Sequence, residues 1–169
     1  ILDLGMQPEF DPKTYRLKVY GLVEKPLDLT YNEILKMPAT NLTADLHCVT
    51  HWSKLDVKWK GVSFKDLVKI VKPKDNWKFI IQEGLDGYTT NVPREDLEGD
   101  NVIIAYELEG KPLPKEHGAP LRFIIPHLYG WKGSKFLSGI KFVEKDEPGF
   151  WEKRGYHNHG NIFKEERYW

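Results

Sequence analysis

Cys48 is the residue whose type and surroundings point most directly to chemistry. It is the one cysteine among 169 residues and lies between His47 and His51. A single thiol can form neither an intramolecular disulfide nor a thiolate-rich zinc site. A lone Cys is most often a small buried apolar residue. A loop position between two imidazoles favours instead a thiolate that attacks a substrate or binds a soft metal.

Two conventional sites fit this cysteine poorly. As a nucleophile it would use His47 or His51 as base, and neither has an evident Asp or Asn to orient it. A zinc site would need His157 or His159 as a distant ligand, and that spacing matches no common closed site. The thiolate of Cys48 fits better as one ligand of a metal whose other ligands come with a cofactor.

The charge pattern indicates where an anionic part of such a cofactor would bind. The chain has 25 basic and 25 acidic residues, so binding to nucleic acid through bulk charge is not expected. Residues 91–109 hold six acids and one Arg, whereas residues 111–135 hold one acid and five basic residues: Lys111, Lys115, Arg122, Lys132 and Lys135. The ordinary interpretation is two solvated faces of opposite sign. The alternative is an anion site, since Arg122 lies in an apolar segment and Lys132 and Lys135 flank a Gly-Ser turn with N–H donors.

The motifs around these residues resemble a known family. Residues 47–53, followed by Trp59, Gly61 and Val62, are similar to the molybdenum-binding loop of the sulfite oxidase fold. Within this fold, these residues resemble in particular those of small bacterial and archaeal molybdopterin-dependent oxidoreductases and of the catalytic subunit of the methionine sulfoxide reductase. Four further segments occur in family order: 86–93 (DGYTTNVP), 117–122 (HGAPLR), 129–135 (YGWKGSK) and 149–157 (GFWEKRGYH).

The resemblance implies a role for each matching residue. Cys48 would supply the protein thiolate to molybdenum, whose other ligands are the pterin dithiolene and oxygen atoms. Tyr88 would face the substrate side of the metal, with plain strand packing as the alternative. The resemblance implies that the cofactor is bound by His117, Arg122, Gly133, Ser134 and Lys135. The charge pattern adds Lys132 to this set. A Cys-x-x-Cys-His haem attachment needs two cysteines, so no haem is expected and electrons would pass to or from a separate partner protein.

One departure from the family bears on the substrate. Sulfite oxidases place an arginine soon after the molybdenum-binding cysteine, where this chain has residues 50–53 (THWS). His51 is the expected source of a switchable positive charge there, with a surface loop His as the alternative. We therefore expect a molybdenum oxidoreductase that moves an oxygen atom to or from a small substrate, with an S-oxide or N-oxide favoured over sulfite. The alternatives are a non-catalytic cofactor carrier and an interaction domain with an empty site.

The elements that must position these residues are mostly short strands. The sequence predicts a β-rich α+β fold of one domain over residues 1–169, with no repeat or linker. Capping patterns predict two short helices, one from Thr30 that stops before Pro38 and one from Ser63 that stops before Pro73. After Cys48 a loop is expected, up to a turn at residues 59–61. The predicted strands span residues 15–19, 42–48, 77–82, 88–92, 101–108, 121–125 and 136–143.

The last residues, 148–169, differ from the body because their aromatic residues follow no period. We expect a loop-rich tail pinned to the body by its aromatic side chains. These are Phe150, Trp151, Tyr156, Phe163, Tyr168 and Trp169.

Targeting signals are not evident in the chain. Its apolar runs are far shorter than the ~20 residues that a transmembrane helix needs. The sequence leaves the compartment open: the cytoplasm is slightly favoured, and export is the alternative if an N-terminal leader was removed before Ile1.

Overall fold

Short strands make up most of the regular structure. The computed structural model describes residues 7–47, 53–128, 132–149, 152–154, 157 and 160–168. The strands are β1 (Arg16–Gly21), β2 (Leu27–Thr30), β3 (Thr40–His47), β4 (Ser53–Ser63), β5 (Phe79–Gly84), β6 (Thr89–Pro93), β7 (Ile103–Leu108), β8 (Lys111–Pro112), β9 (Arg122–Ile124) and β10 (Leu137–Val143). The α-helices are α1 (Tyr31–Leu35) and α2 (Phe64–Val71), and short 3₁₀ turns lie at Arg94–Leu97, Lys115–His117 and Glu152–Arg154.

The strands form two sheets. The first has the order β2-β1-β10-β5-β6, and the second has the order β3-β4-β7-β8 with β9 also paired to β7. Only β1 and β10 pair in parallel among the described strands, with Lys18 opposite Gly139 and Gly21 opposite Phe142. The β-rich α+β class predicted from the sequence is confirmed by this arrangement.

Both predicted helices form, by partly different local means. In α1, Glu33 N donates to Thr30 Oγ1 (3.1 Å) and Thr30 N donates to Glu33 Oε1 (3.0 Å), which completes the predicted capping box. Ser63 occupies the N-cap of α2, but its side chain makes no capping hydrogen bond there. The helix is held instead by its buried face of Phe64, Leu67 and Val71. None of the described helices has the length and apolarity that crossing a membrane requires.

The main apolar core lies where α2 meets both sheets. The ring centroid of Phe64 lies 5.6 Å from that of Phe123 in β9 and 6.0 Å from that of Phe142 in β10. Trp77 makes an edge contact with Phe142 at 5.0 Å. Because one helix side chain contacts a strand of each sheet, the two sheets are joined into one body.

The segment after Cys48 corrects the prediction made from sequence. A loop up to a turn at residues 59–61 was expected, but residues 53–63 form β4, the longest of the described strands. Gly61 lies within this strand, at a register shift opposite β7. A Cβ at Gly61 would lie 2.0 Å from Ile104 O, so the glycine serves the close approach of two strands and not a turn.

Two of the aromatic anchors expected in the tail are not buried: Phe163 and Tyr168 are 83% and 60% exposed. The described part of the tail makes backbone contacts with the body: Leu128 and Asn161 form a β-bridge, and Ile162 N donates to His127 O (2.9 Å). The other expected anchors, Phe150, Trp151, Tyr156 and Trp169, lie outside the described residues.

Candidate functional site

The segment that carries Cys48, residues 48–52, is described only by its flanking residues. His47 and Ser53 are paired across the β3–β4 hairpin. Cys48 and His51 lie outside the described residues, so their roles stay predictions. Among the described residues, no three His, Cys, Asp or Glu side chains lie together as a group that could hold a metal ion.

Arg122 is a charged residue that is almost fully buried against β4. It lies in β9 and is only 5% exposed. Its guanidinium carbon lies 5.6 Å from the ring centroid of Trp59 in β4, and Nη1 donates to His117 O at 3.5 Å. Within the described part of the chain, its Nε has no hydrogen-bond partner. A buried donor without a hydrogen-bond partner is costly, and the guanidinium carries a positive charge, so this position suits an anion that comes from outside the chain.

The electrostatics of Arg122 agree with this interpretation. Burial lowers the pKa of Arg122 to about 10, and the nearby Tyr88 acts in the opposite direction. The guanidinium therefore stays protonated at neutral pH. Its positive charge remains in a poorly solvated place, where an electrostatic contact is stronger than at the surface.

The segments 117–122 and 132–136 are packed against each other through a glycine. Gly118 has φ 107°, and a Cβ there would lie 2.8 Å from Lys135 Cβ. Phe136 N donates to Gly118 O (3.0 Å), and Lys135 Nζ contacts Glu116 O at 3.5 Å. A larger residue at position 118 would therefore separate two segments that the sequence predicted to bind one ligand.

The 132–134 turn, defined here as Lys132, Gly133 and Ser134, is held from β5. Gln82 Nε2 donates to Lys132 O (2.8 Å), and Ser134 N donates to Gln82 Oε1 (2.7 Å). The N–H of Ser134, expected to be open for phosphate, is thus engaged by Gln82. Phe123 N donates to Ser134 O (3.0 Å), which fixes the turn against β9 as well.

Lys132 is directed into the body. Its side chain is fully buried, and its Nζ donates to Asn91 O (2.8 Å) and Asn91 Oδ1 (3.1 Å). Asn91 in turn donates from Nδ2 to Asp146 Oδ1 (2.6 Å). Direct contact between Lys132 and a cofactor stays a prediction; the geometry shows that Lys132 attaches the turn to β6.

Tyr88 lies beside the same turn. It is buried, and its N–H donates to Asp86 Oδ1 (3.1 Å). Gly84, the last residue of β5, donates from its N–H to Tyr88 O (2.9 Å) and has no room for a Cβ, which would lie 2.9 Å from Lys135 O. Because Tyr88 also influences the pKa of Arg122, the structure brings Tyr88, Arg122 and Lys135 into one region.

His117 lies in a cationic environment. Burial is the main cause that lowers its pKa, followed by Arg122, with Lys135 and Lys54 acting in the same direction and Glu116 opposing them. Its imidazole is therefore neutral at neutral pH and can both donate and accept a hydrogen bond. His117 thus lies close to three basic side chains, those of Arg122, Lys135 and Lys54.

Two residues of this region were missed by sequence reasoning. Lys54 is the second residue of β4 and pairs with Leu46. It lies six positions after Cys48, and recognising 53–63 as a strand would have placed it beside the cysteine loop. Nothing in the sequence pointed to Gln82, because the residue type alone does not tell whether a glutamine in an apolar strand is buried or exposed.

Comparisons with known proteins agree on the family. Residues 4–151 match the family described as oxidoreductase molybdopterin binding domain. The uncharacterized oxidoreductase YuiH of Bacillus subtilis (strain 168) is 39% identical over 169 residues, covering 99% of this chain and 85% of the relative. The protein-methionine-sulfoxide reductase catalytic subunit MsrP of Xanthomonas campestris pv. campestris is 34% identical over 153 residues, covering 81% of this chain.

A solved structure shows the same fold. The sulfane dehydrogenase SoxCD from Paracoccus pantotrophus superposes with a TM-score of 0.77 at 26% identity, covering 89% of this chain. The chain spans 47% of the length of that MsrP relative and 43% of the SoxCD chain. The resemblance drawn from the motifs is confirmed by these matches. The chain belongs to the family of the oxidoreductase molybdopterin-binding domain and is an enzyme of the sulfite oxidase family.

Proposed function

We propose that this domain binds molybdenum through the Cys48 thiolate and reduces a small S-oxide or N-oxide, with electrons from a separate protein. The observation that carries the proposal is the buried guanidinium of Arg122, whose Nε has no partner among the described residues. The family match supports the molybdopterin cofactor. The name of the MsrP relative supports a sulfoxide as substrate and a separate subunit as electron donor.

The residues present fit an anionic pterin cofactor. Arg122 offers an unused, buried donor, and the missing side chain of Gly118 lets residues 117–122 and 132–136 approach. His117 and Arg122 would hold the pterin. Lys135 and the backbone N–H of Gly133 would hold its phosphate, since the N–H of Ser134 is already engaged by Gln82. The soft thiolate of Cys48 suits molybdenum.

When bound, the cofactor supplies two-electron chemistry in which an oxygen atom is exchanged with the substrate. The chain's own residues bind and orient. Tyr88, which is buried and close enough to Arg122 to act on its pKa, would face the substrate side of the metal. His117, neutral at working pH, accepts or donates without adding charge. Lys54 and Lys135 would add the fixed positive charge that residues 50–53 lack.

The experiment starts with the full chain purified from a host that makes the cofactor. Molybdenum by elemental analysis and pterin by fluorescence are expected near one per chain. Both contents are expected to fall sharply in Cys48→Ser. In Arg122→Met the pterin content is expected to fall sharply. Absence of metal and pterin from the wild-type chain would refute the proposal.

Turnover separates an enzyme that reduces oxides from the other functions. Reoxidation of a reduced viologen dye is followed with dimethyl sulfoxide, methionine sulfoxide and trimethylamine N-oxide, and dye reduction is followed with sulfite. We expect activity with an S-oxide or N-oxide. A loaded chain active only with sulfite would reverse the proposed direction, and a loaded chain without any turnover would favour a cofactor carrier.

A further inference from the structure

Gln82 makes an unusual pair of contacts for a side chain in the middle of a sheet. It lies in β5, with Thr90 of β6 opposite on one side and Ile140 of β10 on the other. Its side chain is fully buried. Both ends of its amide are used on one short segment, since Nε2 donates to Lys132 O and Oε1 accepts from Ser134 N.

This pair of bonds fixes the backbone of the turn at two points. The carbonyl of Lys132 and the N–H of Ser134 flank Gly133, so the amide of Gln82 brackets the glycine. A glycine has the widest backbone freedom of any residue, and it would otherwise sample many conformations here. With both neighbours fixed at 2.8 and 2.7 Å, the position of Gly133 is set by β5.

The surroundings of Gln82 show that apolar packing alone would not need an amide. Its neighbours in the strand, Ile80 and Ile81, are buried apolar residues. A buried polar group contributes little net stability, but it is costly if its bonds are not made, so it selects one geometry over others. The polar contacts continue through Lys132 and Asn91 to Asp146, which ties the same turn to β6.

We propose that Gln82 is a positioning residue that sets the 132–134 turn in the conformation that receives the cofactor's anionic group. The inference rests on the proposed function, since it takes the turn as part of the cofactor site. Gln82 acts through the turn and does not touch the cofactor. Its effect is therefore on the strength of cofactor binding and not mainly on the stability of the fold.

The test compares Gln82→Met with a control of a different kind. Methionine keeps the length of the side chain and removes both hydrogen bonds. Thr30→Ala, at the remote cap of α1, weakens the fold without touching the turn. For each variant, the molybdenum and pterin content is measured after extended dialysis, and melting temperatures are measured for the loaded and the cofactor-free protein.

We expect Gln82→Met to release cofactor roughly tenfold faster than the wild-type chain, since two hydrogen bonds no longer hold the turn. Bound ligand raises the melting temperature by an amount that depends on its affinity. The gap between loaded and cofactor-free melting temperatures should therefore shrink in Gln82→Met. In Thr30→Ala both temperatures should fall together and the gap should stay.

Gln82→Glu gives an independent second measurement if Gln82→Met does not fold. It keeps the acceptor for Ser134 N–H but loses the donor to Lys132 O and adds an acid next to the anion site, so its retention of cofactor should fall below that of the wild-type chain. Wild-type retention in either folded variant, with an unchanged melting gap, would overturn the inference alone. A wild-type chain that holds no cofactor would overturn the proposed function, and this inference with it.

Discussion

Replacing Arg122 by methionine should make the cofactor-free protein more stable while it weakens cofactor binding. Burial lowers the pKa of Arg122 to about 10, from an ordinary guanidinium value of about 12.5. One pKa step of 1 corresponds to about 1.36 kcal/mol, so keeping this charge in the folded protein costs about 3 kcal/mol at neutral pH. The cost is present at all pH values well below 10.

Two contacts offset part of this cost. The guanidinium lies over the ring of Trp59, and a desolvated cation–π contact contributes roughly 2 kcal/mol. The bond to His117 O, at 3.5 Å, is long and adds little. Methionine keeps the apolar stem against Trp59, so the expected net change is a gain of about 1 kcal/mol in the free energy of unfolding.

Arg94 provides a matched control, because it also lies over a tryptophan ring but is exposed. Its guanidinium carbon is 4.6 Å from the ring centroid of Trp77, and Nη1 donates to Asp75 O and Trp77 O. Arg94→Met removes similar contacts without relieving a buried charge. We expect it to lower the free energy of unfolding by about 0.5–1 kcal/mol.

Urea unfolding of the cofactor-free proteins, with cofactor content of the loaded proteins, checks both halves of the prediction. The expected result is Arg122→Met above the wild-type chain in stability and well below it in pterin content. Arg94→Met is expected below the wild-type chain in stability and equal to it in pterin content. If Arg122→Met loses more stability than Arg94→Met, the charge of Arg122 is not costly in the fold. If its pterin content matches that of the wild-type chain, Arg122 is not part of the cofactor site.

Two further predictions concern the same region. Gly118→Ala should lower the free energy of unfolding by about 1–3 kcal/mol, measured in urea, because φ is 107° and the new Cβ would lie 2.8 Å from Lys135 Cβ. Gly110→Ala is the control for backbone strain alone, since φ there is 80° but nothing lies within 4 Å of the new Cβ. Equal losses in the two variants would contradict the packing argument. The pKa of His117 is lowered in the fold, so the unfolded chain binds more protons and the wild-type chain should lose stability as pH falls below about 6.5, the unfolded value. His117→Gln should lose less over that interval in thermal melts, and an identical pH profile in the two proteins would contradict the assignment.

Local signals predicted those elements that depend on local contacts. The capping box of Thr30 and Glu33 forms as predicted, since its two bonds join neighbouring residues. The alternation in β1 predicted its buried residues Leu17 and Val19. β4 was missed because its Gly61 follows the pattern of a turn, whereas its reason is contact with Ile104, more than forty positions away.

The residues of the site also fall into those that a local pattern predicted and those that depend on distant contacts. The motif and the charge pattern predicted Arg122, His117 and Lys135, which the structure places in one region. They could not predict Gln82, whose partners in the turn are 50 and 52 positions away. Contacts of this kind follow from strand order, and no local pattern encodes strand order.

The parallel pairing of β1 with β10 bears on when the site can form. Residues 16–21 are made early and pair on one side with the neighbouring β2, but on the other side their partner is β10, about 120 positions later. The 132–134 turn directly precedes β10, and Leu137 N donates to Leu121 O (2.9 Å) at its start. Pairings between distant segments form slowly. A chain whose synthesis has not reached β10 therefore lacks both the 132–134 turn in its place and the strand that follows it, so this region is completed only when the late residues have been made.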